Sequence, residues 1–257
     1  DKLDYNFVAF SSGYLPTSIY NANYYYTAPI DDGGHDLEAL LLFNSIVLPF
    51  LDQDWLDPLI SNYASQQEII SYTFQTLPEL KSIPQPKFVF AHIIIPHPPF
   101  IFSQDGPVTP EEIFILSDGD HFSTDKAAYI SGYVDQLQYT NSRVLALVDQ
   151  ITANSSTPPV IILQADHGPG AFLVWESVDR TCVHERFATL TALLLPGVDE
   201  ESLPSDLSPV NIFRVIFNTY FGAQLEILDN HQYFSTWSDP YEFIDVTGRT
   251  QLPCSNP

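Results

Sequence analysis

An aspartate and a histidine, Asp166 and His167, stand side by side directly after the apolar run 160–165 and before Gly168. A carboxylate and an imidazole at the end of a strand can face one cation if the backbone turns sharply, and glycine permits such a turn. This donor pair suits Zn²⁺ or Mn²⁺, with Mg²⁺ and Ca²⁺ as alternatives. The pattern predicts a divalent-metal site. The alternative is that Asp166 caps the next segment and His167 is an ordinary loop residue.

Another histidine, His97, follows the apolar run 87–95 and is flanked by Pro96 and Pro98. The prolines fix the backbone around it, so the imidazole has a rigid support. Such a histidine can donate to an anionic ester oxygen or act as a general acid or base near neutral pH. We expect His97 to bind substrate, the alternative being a histidine in a stiff turn. His92, within the same run, is expected to be a satisfied core residue.

Three further polar residues are weaker candidates for substrate binding: His121, His184 and Arg186. The two histidines lie in segments that we expect to be loops, where they either touch substrate or are solvated. Arg186 leads into an apolar run, and its guanidinium could pair with an anionic substrate or with a carboxylate of the protein. The sequence favours the second, structural role for Arg186. No catalytic nucleophile is identified.

The segments around these residues alternate between two kinds of apolar pattern. Continuous apolar or β-branched runs predict buried strands, and apolar residues at three- and four-residue intervals predict helices. The strands are expected over 7–10, 87–95, 160–165 and 188–195; the helices over 37–62, 127–153 and 210–220, the last with Ser208 as N-cap, Pro209 at its start and Gly222 at its end. Region 101–125 is expected to be a surface loop or lid.

This order of elements predicts an α/β fold with an open, mostly parallel sheet flanked by helices, formed as one domain over residues 1–257. The helix 127–153 would connect strands 87–95 and 160–165 in a right-handed βαβ unit. Ligands bind such sheets at the carboxyl ends of the strands, which is where Asp166 and His97 stand.

The composition narrows the function classes. The chain has 257 residues, with 9 Lys+Arg against 32 Asp+Glu and a formal charge of −23. Such a field repels nucleic acid, so no nucleic-acid partner is expected. An anionic ester would need local positive charge, which a bound divalent cation supplies. No apolar run reaches the roughly 18 residues of a membrane span. Cys182 and Cys254 fit either one disulfide or two buried thiols.

Several segments together resemble the sulfatase-like domains of the alkaline phosphatase superfamily, relatives of lipoteichoic acid synthases and phosphoethanolamine transferases. The matching stretches are FVFAHIIIPHPPF, the helix GYVDQLQYTNSRVLALVDQI, PVIILQADHG, ERFATLTALLLPG and SPVNIFRVIFNTYFG. They occur in the family's order over residues 87–222. The resemblance puts Asp166 and His167 on metal-binding positions and His97 on a position that contacts the sulfate or phosphate group.

The resemblance implies metal-assisted attack of a hydroxyl on a phosphoryl or sulfuryl centre. The family's first metal-binding acid and its nucleophile lie in an N-terminal strand and helix upstream of the segments matched here. We therefore expect a C-terminal portion that is inactive alone and that pairs with the missing N-terminal segment or other subunits. The parent is expected to be extracytoplasmic, at the cell surface, tethered by upstream membrane helices. The alternative is a noncatalytic binding or structural module.

Overall fold

The computed structural model describes residues 4–30, 63–83, 86–108, 116–204 and 207–254. The chain divides into two compact units, residues 1–117 with 131–155, and residues 118–130 with 156–257. The helix predicted over 37–62 lies outside the described residues. The expectation of a single domain stays a prediction.

A three-stranded parallel sheet forms the centre of the first unit. Its strand order is β2 (Tyr24–Tyr26), β1 (Asn6–Phe10) and β3 (Lys87–Phe90), with β1 in the middle. The predicted strand over 7–10 is confirmed. Val8 and Ala9 of β1 are fully buried, as expected for a central strand with apolar residues on both faces.

The strand predicted over 87–95 is shorter than expected and is not buried on both faces. β3 ends at Phe90, and a turn follows in which the His97 backbone N–H donates to the Ile94 carbonyl at 3.0 Å. β3 pairs only with β1 in the described sheet, so it is an edge strand. Its Phe88 is 44% exposed, so the face that carries this side chain is only partly covered.

Two helices and a hairpin complete the core of the first unit. They are α1 (Tyr63–Thr76), residues 131–154 of α2 (Lys126–Asn154), and the pair β4 (Phe102–Ser103) with β5 (Gly106–Pro107). The helix predicted over 127–153 is confirmed. The buried Gln136 of α2 accepts hydrogen bonds from the backbone N–H groups of Ile101 and Phe102 and donates to the His97 carbonyl. The first part of the expected loop 101–125 is therefore packed into the core.

The described residues of the second unit include two antiparallel strand pairs, the first turn of α2 and two further helices. The strands β6 (Ile161–Gln164) and β7 (Thr191–Leu194) pair antiparallel, with Ile161 opposite Leu194. The other elements are α3 (Val183–Arg186), α4 (Pro209–Phe221), β8 (Tyr233–Phe234) and β9 (Ile244–Asp245). The helix predicted over 210–220 is confirmed, with Ser208 at the N-cap position, Pro209 at its start and Gly222 left-handed at its end.

The predicted βαβ unit is wrong. β6 takes its hydrogen-bonded partner from the strand that follows it, β7, and not from β3. An antiparallel return needs no crossover helix, and the connection between β6 and β7 contains only the single helical turn of α3. What the structure shows is a mixed α/β fold with a small parallel sheet and several helices.

Two sequence-level questions are answered by the structure. Cys182 and Cys254, which the sequence left as either a disulfide or two buried thiols, form a disulfide. In the described part of the chain, no helix has both the length and the apolar character required to cross a membrane.

Candidate metal centre

The predicted ligand pair lies at the carboxyl end of β6. The Ala165 backbone N–H donates to the Leu190 carbonyl at 2.9 Å. The backbone hydrogen bonds between the β6 and β7 segments therefore end immediately before Asp166. The next peptide turns back on itself, and the His167 backbone N–H donates to Asp166 Oδ1 at 3.0 Å. Both side chains reach solvent, with 75% of Asp166 and 32% of His167 exposed. A cation in solution can therefore reach both.

The hydrogen bond of the His167 ring defines which nitrogen can bind a cation. Nδ1 lies 2.9 Å from the Gly168 carbonyl oxygen. A carbonyl only accepts, so in the neutral ring Nδ1 carries the proton and the lone pair is on Nε2. A ring N–H bonded to a backbone carbonyl is the usual support of a metal-binding histidine.

The spacing of the two side chains fits a shared cation. His167 Nε2 and Asp166 Oδ2 are 3.6 Å apart. Ligand bonds of about 2.0–2.2 Å place two tetrahedral Zn²⁺ ligands roughly 3.3–3.6 Å apart. Octahedral Mg²⁺, with bonds of about 2.0–2.1 Å, would bring neighbouring ligands to roughly 2.9 Å. The two atoms are therefore close enough to share one divalent cation.

The turn that carries this pair is closely packed at two glycines. A Cβ on Gly168 would lie 2.0 Å from the Glu185 carbonyl oxygen, and a Cβ on Gly170 would lie 2.4 Å from Asp118 Oδ1. The Gly168 backbone N–H also donates to the Arg186 carbonyl at 2.7 Å. The glycines are needed here because neighbouring backbone and carboxylate atoms occupy the space of a side chain.

Asp118, a buried carboxylate beside the turn, is not among the site residues predicted from the sequence. Its Oδ1 accepts hydrogen bonds from the Gly119 backbone N–H at 2.8 Å and the Tyr129 hydroxyl at 2.7 Å. Its Oδ2 accepts from Arg186 Nη1 at 2.6 Å. One of its carboxylate oxygens also lies within 4.8 Å of a ring nitrogen of His167. The second unit therefore brings Asp118 close to His167, one of the two predicted metal ligands.

Arg186 has the structural role that the sequence favoured. It closes α3, and its Nη1 donates both to Asp118 and to the Gly168 carbonyl, the latter at 3.0 Å. Its guanidinium carbon lies 5.5 Å from the centre of the Trp175 ring. Its side chain is only 12% exposed, so most of its charge is directed inward. Substrate binding by Arg186 stays a prediction.

Two pKa shifts follow from the burial of this region. Burial, and then the nearby Asp118 charge and hydrogen bond, raise the pKa of Tyr129 far above its usual value, so its hydroxyl keeps its proton. Burial also raises the pKa of Glu185, against the lowering effect of the Phe172 backbone N–H that it accepts. Tyr129 is consequently a permanent donor to Asp118.

A cavity of about 210 Å³ opens beside the turn. Its walls are aromatic and polar: Asp166, His167, Leu173, Trp175, Arg186, Phe187, Thr189, Tyr233, Phe234 and Ser235. Both predicted metal ligands line it, so a group bound to the cation would have room to enter this cavity.

The remaining predicted histidines lie elsewhere. His184 belongs to α3, where its Nδ1 lies 2.7 Å from the Thr250 carbonyl, and His121 ends a short 3-10 helix and packs against Trp175 and Trp237. Neither lies in an open loop as expected. In the first unit, His92 Nδ1 lies 2.9 Å from Thr17 Oγ1, and His97 Nδ1 contacts the Pro98 carbonyl. The expected role of His97 in binding the ester group stays a prediction.

Comparison of the chain with protein-family models, with characterised proteins and with solved structures finds no match.

Proposed function

We propose that this chain provides the cation-binding part of a metal-dependent phospho- or sulfo-ester hydrolase or transferase of the sulfatase-like type. The observation that carries the proposal is the pair at the end of β6. His167 Nε2 and Asp166 Oδ2 are 3.6 Å apart, and both residues border a cavity. The resemblance described above supplies the reaction class. A divalent ion bound there would polarise an ester oxygen and offset the charge that develops on it.

In this proposal the residues of the chain bind the cation and orient the ester. Asp166 and His167 would hold the cation, and the aromatic wall of Trp175 and Tyr233 would exclude water from one side of the bound ester. The field of a protein with a formal charge of −23 opposes an anionic ester, so local positive charge is required. Arg186 supplies little of it, because its charge is already paired with Asp118.

The nucleophile and the cellular setting belong to the same proposal. We infer from the resemblance that the attacking hydroxyl and a further metal-binding acid come from another part of the functional protein, so this chain alone would be inactive. An extracytoplasmic location is supported by the disulfide between Cys182 and Cys254, since such bonds persist in oxidising compartments. Tethering through membrane helices outside these residues is part of the proposal.

A second candidate function is a noncatalytic module that acts through protein contacts. One observation favours it: the segment 233–243 presents several aromatic side chains to solvent, among them Trp237 at 67% and Tyr241 at 89% exposed. Exposed aromatic residues are enriched at protein interfaces. This function would need no cation at Asp166 and His167.

Metal content separates the two candidates. We expect the native protein, purified without chelators, to carry about one divalent ion per chain, and D166N to lose it. Asn keeps the shape of Asp but removes the charge that makes it a cation ligand. Inductively coupled plasma mass spectrometry after desalting measures the ion, and zinc titration of the chelator-treated protein gives the dissociation constant.

The matched control is Asp149→Asn, an exposed carboxylate near the end of α2. It changes net charge equally and should leave metal content unchanged. A native protein without metal, or equal metal in D166N and D149N, would contradict the first candidate, and the metal-free result would favour the second.

A further inference from the structure

The geometry points to Arg186 as a positioning residue that orients the His167 imidazole through the Gly168 carbonyl, with Asp118 and Tyr129 holding it in place. This inference rests on the proposed function, because it concerns the same cation site. It assigns to Arg186 a role other than the binding of an anionic substrate. The His167 and Arg186 side chains both contact the Gly168 carbonyl oxygen.

The Gly168 carbonyl receives two contacts at once. His167 Nδ1 lies 2.9 Å from it, and Arg186 Nη1 donates to it at 3.0 Å. In return the Gly168 backbone N–H donates to the Arg186 carbonyl at 2.7 Å. Arg186 thus holds Gly168 through both its backbone N–H and its carbonyl, and the His167 ring hydrogen-bonds to that carbonyl. A fixed ring directs the Nε2 lone pair toward Asp166.

Asp118 keeps Arg186 in that position. The carboxylate is buried, and it accepts from Arg186 Nη1 at 2.6 Å. Buried charge pairs of this kind hold a defined geometry because leaving either partner alone is costly. The pair therefore places Nη1 where it reaches the Gly168 carbonyl.

Tyr129 ties the other end of the turn to the same carboxylate. Its hydroxyl donates to Asp118 Oδ1 at 2.7 Å and accepts from the Gly170 backbone N–H at 2.9 Å. Asp118 is connected in this way to both glycines, through Arg186 to Gly168 and through Tyr129 to Gly170. Outer partners of metal-binding histidines act by orientation, and their loss typically weakens metal binding about 10- to 100-fold.

The test compares R186Q and R186K with R249Q in the full protein. Arg249 is the matched control, because it also donates to a carboxylate, Asp179 at 3.3 Å, and to a backbone carbonyl, that of Val178 at 2.9 Å. The first readout is the tautomer of His167 in the metal-free protein, from ¹⁵N shifts at a pH where the ring is neutral. The second is the zinc dissociation constant.

We expect wild type and R249Q to show one tautomer with the proton on Nδ1, and R186Q to show a mixture. Zinc binding should weaken about 10- to 100-fold in R186Q. The tautomer ratio and zinc affinity of R186K should lie between those of wild type and R186Q. Lysine can donate to Asp118 or to Gly168 but lacks the planar guanidinium that serves both. A native circular dichroism spectrum of R186K separates this intermediate result from a loss of folding.

Y129F is the second variant, for use if R186Q does not fold. It removes only the hydroxyl that joins Asp118 to Gly170, and it should weaken zinc binding while the circular dichroism spectrum stays native. A single Nδ1–H tautomer and unchanged zinc affinity in R186Q or Y129F would overturn the inference. A wild-type protein that carries no divalent ion as purified and binds none on titration would overturn the proposed function, whereas the tautomer comparison would still decide the role of Arg186.

Discussion

At the scale of single residues, the turn after β6 packs closely against neighbouring backbone at Gly168. Gly168 leaves no room for a methyl group because the Glu185 carbonyl oxygen would lie 2.0 Å from its Cβ. The space is filled by backbone, which cannot rotate away as a side chain can. The identity of this residue is therefore set by packing around the site, in addition to any need for a sharp turn.

We expect Gly168→Ala to lower the free energy of unfolding by about 3 kcal/mol, the upper range for overpacking a site that cannot relax. Chemical denaturation monitored by circular dichroism measures the loss. Gly248→Ala is the matched control, since nothing lies within 4 Å of the position that its Cβ would take. Its effect should stay within about 0.5 kcal/mol. Equal losses in the two variants would show that the close approach at Gly168 is not real.

The residues of the site were only partly predictable from sequence. Asp166 and His167 could be identified because two metal-ligand types stand together at the end of an apolar run. Asp118 could not, because it lies in a polar segment with several acids and its partners, Tyr129 and Arg186, are 11 and 68 residues away in the sequence. The one available signal was the scarcity of basic residues, which drew attention to Arg186 but did not identify its partner.

At the scale of secondary-structure elements, α3 links the candidate site to the C-terminal segment. Cys182 is its N-cap, and the disulfide to Cys254 joins positions separated by 72 residues. The same short helix ends at Arg186, which contacts the turn with the metal ligands. The covalent bond thus restrains an element that contributes directly to the site.

Reducing this disulfide should destabilise the protein by up to about 4 kcal/mol, the loop-closure value for a loop of this length. The comparison is urea unfolding with and without a reductant. The double variant Cys182→Ser with Cys254→Ser is the control, and it should show no further change on addition of the reductant. If the reductant affects this variant as strongly as wild type, the loss has a cause other than the disulfide.

The helices were predicted better than the sheet. Helix boundaries follow from local signals, such as Pro209 at the start and Gly222 at the end of α4, which the structure confirms. Strand pairing is not local. Apolar runs at 87–95 and 160–165 could be recognised as strands, but their partners depend on packing between distant segments. The antiparallel pairing of β6 with β7 and the early end of β3 were consequently missed.

At the scale of the whole molecule, charge is the dominant property. A formal charge of −23 on 257 residues means that like charges repel one another throughout the folded chain. This repulsion destabilises the compact state and is screened by salt, with a Debye length of about 30 Å at 0.01 M and about 8 Å at 0.15 M.

We therefore expect the melting temperature to rise when sodium chloride is increased from about 0.01 to about 0.15 M, the range over which screening becomes effective. The D166N protein isolates this effect from cation binding at the candidate site. In D166N, magnesium chloride at matched ionic strength should give a similar rise, whereas a much larger rise would reveal a second cation site. Differential scanning calorimetry provides the measurement, and a melting temperature that does not change with salt would contradict the expectation.

The position of the tryptophans has an optical consequence. Of the three in the sequence, Trp175 lines the cavity beside His167, and Trp237 packs against it with ring centres 5.5 Å apart. The Trp175 indole N–H donates to the Asp118 carbonyl at 2.8 Å, and a guanidinium lies over its ring. Any change in that hydrogen bond or that nearby charge alters the colour and yield of indole emission. The protein thus contains its own fluorescent reporter of events in the cavity, without an added label.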